Sequence, residues 1–279
     1  MRYIIREPTE NDILNTITVL YSAFGRDIPK NINEDVKLWK SLKELQIGKF
    51  LIAEESGKII GVGGVFIFEK VSSFGYMAVL PKFRGNGIGT FIFRNLLEFA
   101  KKKNCESMML YASKLGEPIY KKFGFKKRFY GTNYKLPAEI PELDILDKEV
   151  EILEITPDWL LRLDKKAIGF DRSQYFNLRI GLGAKILSIE EEGYGMLANK
   201  RLGPLIAKNH QTAFQIINKG IELGADHIII AKHHLIPNEI YQLYNLTEQE
   251  GGTSIKMVYG KKINEKLEFL YALGTFAKG

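Results

Sequence analysis

The chain has 279 residues, 45% hydrophobic and 26% charged, enough to bury two ordinary cores and too apolar for bulk disorder. A net charge of +7 favours phosphate-bearing partners in general, whether a coenzyme, nucleic acid or anionic lipid. A lone cysteine, Cys105, excludes an intrachain disulfide. No apolar run reaches the ~20 residues that span a bilayer, and Met1-Arg2-Tyr3-Ile4-Ile5 lacks a signal-peptide layout, so a soluble, cytoplasmic protein is expected.

In chain order, apolar and β-branched runs predict a strand over 2–6, helices within 10–45, and strands near 49–55 and 58–68 joined by Ser56-Gly57-Lys58. A strand over 74–80, a glycine-rich turn, a helix over 90–102, a strand over 106–112, a helix over 115–122 and a closing strand pair after Gly124 follow. Residues 136–151, with Pro137, Pro141 and an aperiodic run of acids, read as a connection. Beyond it come a helix from Pro157 to Ala167 ending at Gly169, strands near 184–190, 194–199 and 202–207, a helix over 210–223, a strand over 227–231, a helix over 237–247 and a strand over 253–259. The expected class is α/β (α+β), a mixed, mostly antiparallel sheet flanked by helices, with domains at 1–136 and 150–279. The second half repeats the element order of 74–135, which points to an internal duplication.

Arg84-Gly85-Asn86-Gly87-Ile88-Gly89-Thr90 stands between a predicted strand and a predicted helix. Consecutive N–H groups at a helix N-terminus, reinforced by the helix dipole, form a site for phosphate oxygens. Glycine lets the ligand approach the backbone and tolerates positive φ. No Walker A pattern is present, and in the dinucleotide pattern the third glycine position falls on Thr90.

The segment from Val79 to Gly89 resembles the acetyl-CoA-binding segment of the GNAT N-acetyltransferase superfamily, whose [QR]xxGx[GA] pattern residues 84–89 match. Downstream, Gly116-Glu117-Pro118-Ile119-Tyr120-Lys121-Lys122-Phe123-Gly124-Phe125 is similar to that family's AxxLYxxxGF helix and turn. The second half resembles the degenerate GNAT-like accessory domain of two-lobed members. The resemblance implies that acetyl-CoA is the acyl donor. Its pantetheine arm would pair with the backbone of Met77, Ala78 and Val79, and its pyrophosphate would sit on the N–H groups of Arg84, Gly85, Asn86, Gly87, Ile88, Gly89 and Thr90. It implies direct transfer to a primary amine, with Tyr120 as the proton donor to the leaving thiolate. Ser113 stands where the family often has an asparagine near the pantetheine. In the second lobe Lys208-Asn209-His210 replaces the glycine loop, so no pyrophosphate site is expected there.

Other residues bear on the chemistry. Arg172, in Gly169-Phe170-Asp171-Arg172, has the fork to bind a substrate carboxylate or to fix a helix end through a carboxylate. Glu54, Glu55 and Glu69 lie near strands that face the amine, and none is singled out as the base. Cys105 has no histidine nearby in sequence and reads as structural. His233 and His234, adjacent on a strand, point to opposite faces and are not expected to chelate one ion, so no metal is expected. The lysine clusters 101–103, 121–122 and 126–128 either steer the coenzyme or form solvated element ends. The expected function is therefore acetyl-CoA-dependent N-acetylation of a small-molecule amine held between two lobes. The alternatives are a protein N-terminus or lysine as acceptor, or a coenzyme-sensing nucleic-acid-binding or regulatory protein.

Overall fold

The computed structural model describes residues 3–29, 32–45, 47–141, 148–232 and 239–275. His233 and His234 lie outside the described residues. The chain forms two compact units that divide between Leu110 and Tyr111. Among the described residues, no helix is long and apolar enough to cross a membrane.

Unit one contains β1 (Ile4–Arg6), α1 (Ile13–Ala23), α2 (Ile32–Glu44), β2 (Gly48–Glu55), β3 (Lys58–Phe68), β4 (Val71–Val79) and α3 (Ile88–Lys102), and passes into β5 (Ser107–Ala112). Strands β1 to β4 pair antiparallel in chain order, and β4 pairs parallel with β5. α3 presents Ile88, Ile92, Phe93, Leu96 and Leu97 at helical spacing, and all are buried. Gly63 of β3 permits its close approach, because a Cβ there would stand 2.6 Å from the Ile92 side chain.

Unit two contains α4 (Glu117–Lys122), β6 (Lys126–Lys135), β7 (Glu151–Leu153), α5 (Asp158–Ile168), α6 (Ser173–Gly181), β8 (Lys185–Ile189), β9 (Gly193–Ala198), β10 (Arg201–Ala207), α7 (His210–Glu222), β11 (His227–Lys232), α8 (Glu239–Leu243), β12 (Thr247–Gly260) and β13 (Leu270–Leu273). β6 bonds antiparallel to β11 on one side and β12 on the other. β7, β8, β9 and β10 form an antiparallel run that continues through β13 to β11. The mixed, mostly antiparallel sheet with flanking helices matches the expected class.

Two details differ from the expectation. The predicted strand pair after Gly124 is one ten-residue strand, β6. The partners that saturate it, β11 and β12, arrive about a hundred residues later in the chain, so no local hairpin forms. Helix α6 and the short strands β7 and β13 carried too little periodicity to be predicted.

Candidate active site

The glycine run forms the turn between β4 and α3. A single 3-10 turn, Pro81–Phe83, follows β4, and the Arg84 N–H closes it on the Pro81 carbonyl at 3.2 Å. Gly85 and Gly87 then take φ of +81° and +74°. Gly87 is the N-cap of α3 and supplies no side-chain cap, and the first helical bond runs from the Phe91 N–H to the Gly87 carbonyl at 2.9 Å. Among the described residues, the main-chain N–H groups from Gly85 to Thr90 make no hydrogen bond. Six consecutive donors thus stand free at the positive end of a fifteen-residue helix.

Arg84 does something other than the sequence suggested. Its side chain donates from Nε to the Val79 carbonyl at 3.0 Å and from Nη2 to the Ala23 carbonyl at 2.5 Å. Its N–H and its guanidinium are both engaged in bracing the loop, which ties the end of β4 and the end of α1 to the turn. Asn86 likewise turns its amide inward, to the carbonyls of Phe83 and Arg84. The free donors begin at Gly85.

β4 opens towards the same turn. Its ladder to β5 runs from Val71 opposite Ser107 to Phe74 opposite Leu110, and no further pair follows, although β4 continues to Val79. On its other side β4 bulges: Tyr76 and Met77 together oppose the single Gly63 of β3. Tyr76 takes φ of +55°. Its ring meets Trp39, Phe50 and Phe66 at 5.0, 5.8 and 6.0 Å, so an aromatic cluster holds the strained residue in place. The bulge increases twist and separates the end of β4 from a parallel neighbour. Met77, Ala78 and Val79 therefore line an unpaired edge that leads to the free amides.

The remaining predicted residues lie in unit two. Tyr120 is buried in α4, against Phe125, and burial pushes its phenol well above the ordinary tyrosine range. A phenol so placed stays protonated at neutral pH. Gly116 gives it room: a Cβ there would stand 2.9 Å from the Tyr120 ring. The Ser113 Oγ accepts the Gly116 N–H at 3.2 Å and so helps to start α4. Arg172 is 4% exposed and grips Asp164 with two bonds, Nε to Oδ2 at 3.0 Å and Nη2 to Oδ1 at 2.8 Å. The Tyr194 hydroxyl donates to the same carboxylate. Arg172 is thus an internal cation, with Asp164 in the place foreseen for a substrate carboxylate.

The candidate bases resolve differently. Glu54 is bonded by the Arg6 guanidinium at 2.6 Å. Glu55 ends β2 at a hairpin, and Glu69 stands at the β3–β4 turn with φ of +52°. Of the basic clusters, Lys121 and Lys127 both pair with Glu117, and Lys101 pairs with Glu98. The Cys105 thiol is buried, and burial raises its pKa, as expected of a structural cysteine.

Models of the acetyltransferase (GNAT) domain match residues 46–127 and again 160–272. A crystal structure of a putative acetyltransferase from Pyrococcus horikoshii is 30% identical, with a TM-score of 0.90, covering 99% of this chain and 96% of that one. This chain belongs to the GNAT acetyltransferase family. The second match makes it a two-domain GNAT protein, and a tandem GNAT protein from the clavulanic acid biosynthesis pathway shares the fold, with a TM-score of 0.65 at 12% identity over 93% of this chain and 98% of that one. The uncharacterized N-acetyltransferase YitH of Bacillus subtilis is 28% identical over 188 residues, 63% of this chain, and the match spans 65% of YitH, just under two thirds of that curated relative. Both GNAT matches have a β-strand, a helix and a parallel strand at their centre: β4-α3-β5 in unit one and β10-α7-β11 in unit two.

Proposed function

We propose that the protein is an acetyl-CoA-dependent N-acetyltransferase that acts on a primary amine of a small molecule. The observation that carries the reading is the run of six unbonded amides from Gly85 to Thr90 at the N-terminus of α3, beside the unpaired β4 edge. A diphosphate fits such donors and no side chain competes for them. The pantetheine arm pairs with the Met77–Val79 edge as an extra strand would, which directs the thioester towards the bulge.

The reaction follows from the groups present. A neutral amine attacks the thioester carbonyl, the C–N bond forms, the C–S bond breaks, and the sulfur leaves with the electron pair. Main-chain donors on the β4 edge stabilise the carbonyl oxygen as it gains charge. The family resemblance gives Tyr120 the role of proton donor to the thiolate: its phenol is neutral at pH 7, as tyrosines ordinarily are, and it regains its proton from solvent after the transfer. The amine releases its proton to solvent. Ser113, exposed at the start of α4, supplies a hydroxyl near the same helix.

The test has two parts. Calorimetry with acetyl-CoA should show binding that Gly87→Glu abolishes. A thiol-release screen over amino acids, polyamines, aminoglycosides and peptides should then show turnover with small amines. Turnover confined to peptides would reassign the acceptor, and the absence of any heat would remove the enzyme reading.

A further inference from the structure

Unit two repeats the geometry of the coenzyme cleft and then fills it. In unit one, the parallel pair β4/β5 ends at Phe74 opposite Leu110, and the β4 bulge at Tyr76-Met77 follows two residues later. In unit two, the parallel pair β10/β11 ends at Leu202 opposite Ile228. A bulge of the same kind follows at once: Gly203 and Pro204 together oppose the single Met196 of β9. In both units the two parallel strands part at the bulge and diverge towards the start of a helix.

The difference is what stands in the gap. In unit one, among the described residues, nothing pairs with the β4 edge beyond Phe74. In unit two, β13 lies between the parted strands and bonds antiparallel to both. Leu205 of β10 faces Ala272 and Ile206 faces Leu270, while Ile229 and Ile230 of β11 face Leu273 and Ala272. The four residues of β13 are at most 4% exposed. Gly203 makes the seat possible, since a Cβ there would stand 2.3 Å from the Leu273 carbonyl oxygen. The helix start is closed as well. Asn209 caps α7 by accepting the Thr212 N–H at 2.9 Å, where Gly87 caps nothing. His210, the first residue of α7, meets the hydroxyl of Tyr271 on β13 through Nδ1 at 2.5 Å.

We infer that β13 is a built-in occupant of the second coenzyme cleft, a strand of the chain itself standing where a pantetheine arm would lie. The chain therefore has one acyl-coenzyme site, in unit one, and the duplicated cleft is closed by the sheet's own pairing. This inference rests on the coenzyme reading of unit one and goes further: it explains why duplication of the fold does not duplicate the site.

Two measurements on the full chain test it. Titration calorimetry with acetyl-CoA should give one equivalent per chain, and Gly87→Glu should remove all of the heat. Two equivalents, or one equivalent surviving Gly87→Glu, would overturn the inference. No heat with the wild type would instead sink the coenzyme reading, and the second measurement then decides the seal alone. Amide exchange followed by mass spectrometry should show residues 271–273 exchanging as slowly as Leu205 and Ile206, with no further slowing on addition of acetyl-CoA, while Gly85–Thr90 slow markedly. Fast exchange at 271–273, or slowing at 203–207 and 227–232 on addition of acetyl-CoA, would mean that the cleft is open. Gly203→Val should speed exchange at 271–273 at least tenfold, and unchanged exchange there would count against the seat.

Discussion

Arg84 holds the carbonyl of Val79 at 3.0 Å, so the last residue of β4 and the first residue after the 3-10 turn are locked together across five positions. With the second bond to Ala23, this guanidinium fixes where the free amides point. Hydrogen bonds from a charged donor contribute roughly 1.5–3 kcal/mol each. Arg84→Ala should raise the KM for acetyl-CoA at least tenfold with a smaller change in kcat. Initial-rate kinetics would show this, and an unchanged KM would mean that the loop holds its shape without the brace.

Gly87 offers a sharper test of the loop. Its φ of +74° costs a residue with a Cβ about 1–2 kcal/mol. Nothing lies within 4 Å of the added Cβ, so packing does not suffer. Gly87→Ala should therefore unfold at only slightly lower denaturant, while its affinity for acetyl-CoA falls by more than that strain alone predicts, because the methyl group intrudes on the ligand. Equal losses in both measurements would mean that the Cβ meets no ligand.

Tyr120→Phe keeps the ring and its packing against Phe125 and removes only the hydroxyl. Its kcat should fall ~100-fold, the lower end of the range typical of general acid catalysis. The KM for acetyl-CoA should hold steady. Full activity in the variant would assign Tyr120 to the core alone.

Burial also sets the alkaline limit of stability. The phenols of Tyr120, Tyr194 and Tyr244 are pushed well up, and that of Tyr271 to about 12. The unfolded chain ionises its tyrosines near pH 10. Each raised group thus gives its full stabilisation below about pH 10 and loses it as pH climbs towards the folded value. Denaturation midpoints should be flat from pH 7 to 9 and fall above 10. Absorbance at 295 nm should show these tyrosines ionising together with unfolding, and smooth titration in the folded protein would refute their burial.

Arg172 and Asp164 form a pair that is 3% exposed on each side. Removing one partner of a buried pair costs about 3–5 kcal/mol, because the other charge is stranded. Arg172→Ala should be strongly destabilised or insoluble. The milder Arg172→Lys should melt several degrees lower with an unchanged KM for the amine. A raised amine KM at unchanged melting temperature would return Arg172 to the acceptor site.

Most of the fold class and the glycine loop were legible in the sequence because they depend on local rules. Gly85 and Gly87 mark a turn that needs positive φ, the spacing from Ile88 to Leu97 marks a helix face, and Gly169 marks the end of α5 with φ of +86°. Those signals lie within a few residues of the structures they specify. The tertiary structure decided what depends on partners distant in sequence. It gave Arg84 two carbonyls to hold, 5 and 61 residues away, and buried Arg172 on Asp164. It merged an expected strand pair into β6 by supplying β11 and β12. It also placed four residues, Leu270 to Leu273, between two strands that lie about forty or more residues upstream. A four-residue strand carries no periodicity of its own. Its place is set by the unsatisfied edges of β10 and β11, which exist only once the sheet has formed.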